Sequence, residues 1–186
     1  MEFLEQIDQQ LFLFLNGLHN PFWDEIMYWI SYKFTWIPLY LAVLIYLIVK
    51  QKRYAVISII LLVLAIVLAD QMSVNLFKNV FLRYRPCHNL DIQPLVHLVN
   101  NHCGGQYGFV SSHATNSFAF AILSALIINK KNFSIFFVLW ALLVSYSRIY
   151  LGVHYPADII GGGLLGTAIA FGLFYINKKL KLKLTH

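Results

Sequence analysis

The chain has 186 residues, of which 59% are hydrophobic and only 12% charged, with a formal net charge of +6. That is too apolar for a soluble domain and points to an integral membrane protein. The positive charge alone would suit a nucleic-acid binder, but the chain carries no Arg-rich or aromatic-basic motif, so no nucleic-acid partner is expected.

The opening MEFLEQIDQQ is acidic and lacks a basic n-region, so no cleavable signal peptide is expected. Over 3–18, apolar Phe3, Leu4, Ile7, Leu11, Phe14 and Leu15 recur at helical spacing among Glu5, Asp8 and several glutamines. This pattern fits a helix lying on the membrane surface, or equally one packed on a bundle. Asn20-Pro21 breaks it, and 22–32 forms a second short aromatic segment with Asp24 and Glu25 near its start. Residues 1–33 are therefore read as amphipathic, interfacial helices.

Five apolar runs follow, at 34–49, 54–80, 115–128, 133–150 and 157–176. The first is slightly short of the roughly 20 residues a span needs. The last contains GGGLLG at 161–166, small residues that let helices pack closely. The expected fold is all-α: an integral membrane bundle of about five transmembrane helices over 34–177, plus the N-terminal interfacial helix and a basic tail at 178–186. Aromatics at 16% suit anchoring of helix ends at the interface.

The connecting charges predict orientation. Lys50, Lys52 and Arg53 follow the first run, Lys130 and Lys131 the third, and Lys178, Lys179, Lys181 and Lys183 the fifth, with no Asp or Glu among them. The positive-inside rule makes these segments, and the C-terminus, cytoplasmic. The 81–111 loop and the 150–155 turn then face outward. An outward loop allows Cys87 and Cys103 to pair, which would contribute about 3 kcal/mol. Two free thiols are the alternative, as is a metal site with His88, His97 and His102. No CxxC or HxxxH spacing supports the latter, and no metal is expected.

Three separated stretches bring polar groups to the outer ends of these runs: KNVFLRYRP at 78–86, VSSHATNS at 110–117 and SRIYLGVHYPAD at 147–158. In the third, Pro156 suits the first position of a helix, leaving His154 in the preceding turn and Asp158 in the first helical turn. Asp158 there can fix the His154 tautomer and support a charged ring, freeing the other nitrogen to attack. It fits a simple helix cap equally well. Lys78, Arg85 and Arg148 can surround a phosphate, the arginines bidentately. Ser111 and the N–H groups of the helix start, including Ser112, complete the cradle. His154 is then the nucleophile and His113 the acid that protonates the leaving oxygen. Asp70, within the second run, and Arg83 are further polar positions. Asp70 reads as a functional group or as a buried bundle-orienting partner, and Arg83 as a contact to substrate or headgroup.

These residues resemble the type 2 phosphatidic acid phosphatase family of membrane lipid phosphatases. Its first motif, Lys, six residues, Arg-Pro, is matched by Lys78 and Arg85-Pro86. Its second, Pro-Ser-Gly-His, reads Val110-Ser111-Ser112-His113 here, departing at Val110 and Ser112. Its third is matched by Ser147-Arg148, His154 and Asp158. The resemblance covers about 54–176. It implies a cofactor-free, metal-independent hydrolase acting on a membrane lipid phosphate through a phosphohistidine on His154. Undecaprenyl diphosphate, phosphatidylglycerophosphate, phosphatidic acid and a lipid A phosphate are the candidate substrates. The orientation adds a bacterial inner membrane with the site on its outer face. Lipid phosphotransfer and non-enzymatic binding of anionic lipid are the alternatives.

Overall fold

The structure is a computed structural model, and residues 2–183 are described. Two short helices, α1 (Glu2–Asn16) and α2 (Pro21–Ser31), precede the bundle. Asn20 caps α2 by accepting the Trp23 N–H at 3.1 Å, and Pro21 occupies the first turn, where no N–H is missed. The bundle consists of α3 (Ile37–Gln51), α4 (Ala55–Met72), α5 (Ser112–Ile128), α6 (Lys131–Tyr150) and α7 (Pro156–Lys183). These are the five apolar runs of the sequence. Part of the anticipated basic tail belongs to α7, which continues as helix through Lys183; residues 184–186 lie outside the described part.

Three helical stretches among the described residues are long and apolar enough to cross a membrane: Lys33–Phe81, Lys131–Tyr150 and Pro156–Leu180. The first contains both α3 and α4, joined through the single turn Lys52–Tyr54, with Lys52 at φ 50°. α5 is apolar but shorter. It is the hub: its Ala119, Ala121 and Leu123 are fully buried, and it packs against α4, α6 and α7. Its contact with α7 is the most extensive in the bundle. Gly162 and Gly166 make that contact possible. A Cβ on Gly162 would stand 2.7 Å from the Ser111 carbonyl oxygen, and one on Gly166 would stand 2.9 Å from the Ala119 nitrogen. The outer surface of the bundle is apolar, with Ile45, Ile60, Val63, Leu139 and Leu164 all exposed, as a lipid-facing surface requires.

α4 does not end as a regular helix. Residues Ser73–Lys78 widen into a π-helical turn before a last short turn, Asn79–Phe81. Such turns re-aim side chains at a helix end. The 81–111 loop then crosses the same end of the bundle. It is pinned by an isolated bridge between Tyr84 and Tyr107, by Arg85 N–H to the Gln106 carbonyl at 3.1 Å and by Gly108 N–H to the Arg83 carbonyl at 2.8 Å. Cys87 and Cys103 form a disulfide, with Cα atoms 6.0 Å apart.

α1 packs along one edge and leaves the other open. Phe12 is fully buried, edge-on to Tyr155 at 5.4 Å, whereas Phe3, Leu4 and Phe14 are exposed. Asn16, 1% exposed, anchors its end: its Nδ2 donates to the carbonyls of His97, Ile149 and Tyr150, and its Oδ1 accepts the His97 N–H at 2.8 Å. The helix is thus docked on the bundle along one face and leaves apolar side chains exposed along the other.

Candidate active site

The end of α4, the start of α5, the end of α6 and the start of α7 meet at one end of the bundle. The Ser111 N–H donates to the Asp158 carbonyl at 3.0 Å, and the Val153 N–H to the Arg148 carbonyl at 3.1 Å. The basic turns around Lys52 and Lys130 lie at the opposite end, about 25 Å away along α5 by its rise per residue.

His154 and Asp158 are 1% and 0% exposed. His154 Nδ1 lies 3.1 Å from Asp158 Oδ2, the same oxygen that accepts the Tyr155 N–H at 3.1 Å. Tyr155 is the residue before Pro156, so Asp158 reaches back to the capping position as a capping-box acid does. The two readings of Asp158, helix cap and histidine partner, are therefore satisfied by one oxygen. With Nδ1 engaged, Nε2 makes no hydrogen bond among the described residues. Burial, followed by the charges of Arg85, Arg148, Lys78 and Arg83, holds the His154 imidazole well below its ordinary pKa, so the ring is neutral. A neutral ring with a free nitrogen is what a nucleophile requires.

The cations come from three elements. The π turn delivers Lys78, whose Nζ donates to Ser112 Oγ at 2.7 Å; Ser73 Oγ contacts the same hydroxyl at 2.7 Å. Arg85, 8% exposed, is braced by the carbonyls of Tyr107, Cys103 and Val153 at 3.3, 3.4 and 3.4 Å. Arg148 donates from Nη1 to Ser31 Oγ, while its buried Nε has no partner among the described residues. None of the three is neutralised by a carboxylate ion pair among the described residues, an arrangement that a dianionic ligand would satisfy. Ser111, fully buried, is the N-cap of α5 and accepts the Ala114 N–H at 3.5 Å. His113 stands in the first turn of α5 and lines, with Tyr40, Leu62, Phe120 and Trp140, an apolar cleft of about 580 Å³.

Every candidate residue from the three motifs therefore lies at this end of the bundle. Asp70 is not a buried partner: it is exposed and lines the apolar cleft. Arg83 is not free for substrate either. Its guanidinium spans two carboxylates, Asp158 Oδ1 at 3.0 Å and Asp8 Oδ2 at 2.7 Å, and covers the Tyr155 ring at 4.2 Å. Asp8 had no signal as a site residue, since it sits in an ordinary amphipathic pattern and its partners lie 75 and 149 positions away. Of the loop histidines, His97 pairs with Asp24 at 3.0 Å and His88 approaches the Gly104 carbonyl at 3.3 Å.

A carboxylate-oriented histidine among cations, at the end of an apolar bundle beside an apolar cleft, is an arrangement suited to phosphate chemistry at a membrane. The chain belongs to the PAP2 superfamily, whose signature matches residues 59–182. It is 40% identical over 187 aligned positions to the lipid A 4'-phosphatase of Bacteroides thetaiotaomicron, covering 99% of this chain and 83% of that one. It is 35% identical to the lipid A 4'-phosphatase of Porphyromonas gingivalis, over 95% and 75% of the two chains. The fold matches the crystal structure of a transmembrane PAP2-type phosphatidylglycerolphosphate phosphatase from Bacillus subtilis, with a TM-score of 0.74, 23% identity and 96% and 88% coverage. The chain is a membrane lipid phosphatase of the PAP2 type.

Proposed function

We propose that this enzyme removes a phosphomonoester from the sugar headgroup of a lipid A-type glycolipid, by double displacement on His154. The observation that carries the mechanism is the buried His154–Asp158 pair, its Nε2 without a hydrogen-bond partner among the described residues and its ring under the charges of Arg85, Arg148 and Lys78. The names of the two bacterial relatives support the substrate class.

In the first step His154 Nε2 attacks phosphorus, and the bond from phosphorus to the sugar oxygen breaks. His113 gives its proton to that oxygen, and the alcohol departs. Asp158 supports the positive ring of the phosphohistidine. In the second step a water attacks phosphorus, His113 takes its proton, the N–P bond breaks and inorganic phosphate leaves. Lys78, Arg85, Arg148 and the N–H groups at the start of α5 hold the equatorial oxygens, the main resource in phosphoryl transfer. The disulfide in the loop beside the site and the basic turns at the far end of the bundle support placing this chemistry on the outer face of a bacterial inner membrane.

The test is phosphate release in detergent with excess chelator, from a lipid A 4'-phosphate and from a polyprenyl diphosphate, by wild type and His154→Ala. Release from the lipid A substrate in wild type, with an acid-labile phosphoprotein that is absent in the folded variant, is expected. Full activity in a folded His154→Ala protein refutes the nucleophile. Strong preference for the diphosphate refutes the substrate class.

A further inference from the structure

Tyr155, at the cap position of α7, has no side chain that can accept the N–H groups of the first turn, and Asp158 satisfies only the N–H of Tyr155 itself. The N–H of Ala157 is satisfied from elsewhere: Asp8 Oδ1, on α1, accepts it at 2.9 Å. The other oxygen of Asp8 holds Arg83 Nη2 at 2.7 Å, Arg83 Nη1 holds Asp158 Oδ1 at 3.0 Å, and Asp158 Oδ2 holds His154 at 3.1 Å. The Asp8 and Arg83 side chains are 11% and 21% exposed, and Asp158 is fully buried. A continuous chain of charge-assisted hydrogen bonds thus runs from the N-terminal helix to the histidine.

We propose that Asp8 and Arg83 are positioning residues of the active site, and that α1 is part of the catalytic apparatus through them. This rests on His154 being the nucleophile. Arg83 fixes the one Asp158 oxygen that neither His154 nor the helix cap uses, so the carboxylate cannot rotate away from the ring. Left alone, Arg83 would set a full positive charge against Asp158 and weaken the support that Asp158 gives to a charged imidazole. Asp8 balances that charge and anchors the guanidinium to the start of α7.

The groups that face His154 are Asp158 on α7, Arg83 and Arg85 on the loop, Lys78 at the end of α4, Arg148 on α6 and His113 on α5. Removing the anion or the cation of the Asp8–Arg83 pair therefore moves the ring in opposite directions. Asp8→Asn leaves Arg83 unbalanced, disfavours the charged ring and shifts the acid limb of kcat/KM to lower pH. Arg83→Gln removes a cation and shifts the limb to higher pH. The ionisation of the substrate is common to both variants and cancels in the comparison.

The experiment measures kcat, KM and pH profiles for wild type, Asp8→Asn, Arg83→Gln and the double variant, with His154→Ala as reference. Asp8→Asn is isosteric and keeps an acceptor for Ala157; monodispersity and thermal unfolding in detergent establish that each variant folds. The expected result for Asp8→Asn is a fall in kcat of about tenfold with KM within twofold. Its effect should disappear in the Arg83→Gln background. An unchanged kcat and pH limb in Asp8→Asn overturns the proposal, as does an equal Asp8 effect with and without Arg83. If His154→Ala retains activity, the nucleophile assignment has failed, and that outcome is separable from the others.

Discussion

Gly108 offers a sharp test of how much catalysis depends on the placement of Asp158. A Cβ on Gly108 would stand 2.8 Å from Asp158 Oδ2, 3.3 Å from Arg85 Cγ and 3.5 Å from His154 Nδ1. The methyl of Gly108→Ala thus presses on the carboxylate from beside its contact with the ring. Asp158 has little room to give, because Arg83, His154 and the Tyr155 N–H hold both its oxygens. Restoring ordinary contact, about 3.4 Å, requires a displacement of about 0.6 Å. Oδ2, moved directly away from the methyl, then stands about 3.3 Å from Nδ1, so the 3.1 Å His154–Asp158 bond is lengthened and bent towards the limit of useful geometry. Misplacement on this scale costs about 100-fold in kcat, or about 2.7 kcal/mol of barrier. KM should change less than threefold, since Lys78 and Arg148 are untouched and the 3.3 Å approach to Arg85 Cγ asks that side chain to give by only about 0.1 Å. The assay is initial-rate phosphate release from lipid phosphate in mixed micelles, with size-exclusion profiles and unfolding temperatures as controls. A folded Gly108→Ala enzyme within twofold of the wild-type kcat would refute the claim that the His154–Asp158 geometry is limiting.

Replacing Cys87 and Cys103 with serine releases a loop with a sequence separation of 16, and should lower stability by about 3 kcal/mol by chemical denaturation in detergent. It should also lower phosphate affinity, because Arg85 leans on the Cys103 carbonyl. Gly166→Ala forces α5 and α7 apart and should cost about 1–3 kcal/mol, visible as a lower unfolding temperature. The depressed pKa of His154 contributes stability that is complete above its ordinary value of 6.5 and is lost as pH falls from there through the folded value. Unfolding temperature measured across about pH 5 to 8 should therefore fall more steeply on the acid side in wild type than in His154→Gln; parallel curves would contradict a buried neutral ring.

The apolar runs mark five helices because each is a long stretch whose side chains face lipid or one another, a property of local sequence. The motifs of the candidate site are legible for a related reason. Pro156, Asp158 and His154 lie within a single turn, and Ser111 caps the helix that carries His113. Boundaries were less legible. α7 runs through the first lysines after 176, since long cationic side chains cost a helix nothing. The part of the site that escaped is built on contacts without local pattern. Asp8, Asn16 and Asp24 each sit in unremarkable amphipathic surroundings and find partners 73 to 149 positions away. Arg83 stands two residues before the motif arginine, yet its partners are carboxylates and not phosphate. Spacing identifies residues that share an element, whereas α1 meets α7 only through the tertiary fold.

The apolar cleft reaches Ser112 and His113 at the start of α5, so on the proposed reading the two halves of the substrate are cut apart at the boundary between two phases. On that reading, once the bond breaks, the lipid product stays anchored in the membrane and diffuses in two dimensions, while phosphate escapes into water and is diluted in three. Reversal needs both to return to the same point from different solvents. The rate should accordingly follow the mole fraction of substrate in the micelle or bilayer and be indifferent to its bulk concentration. For this enzyme the membrane works as a reaction solvent that separates the products as they form.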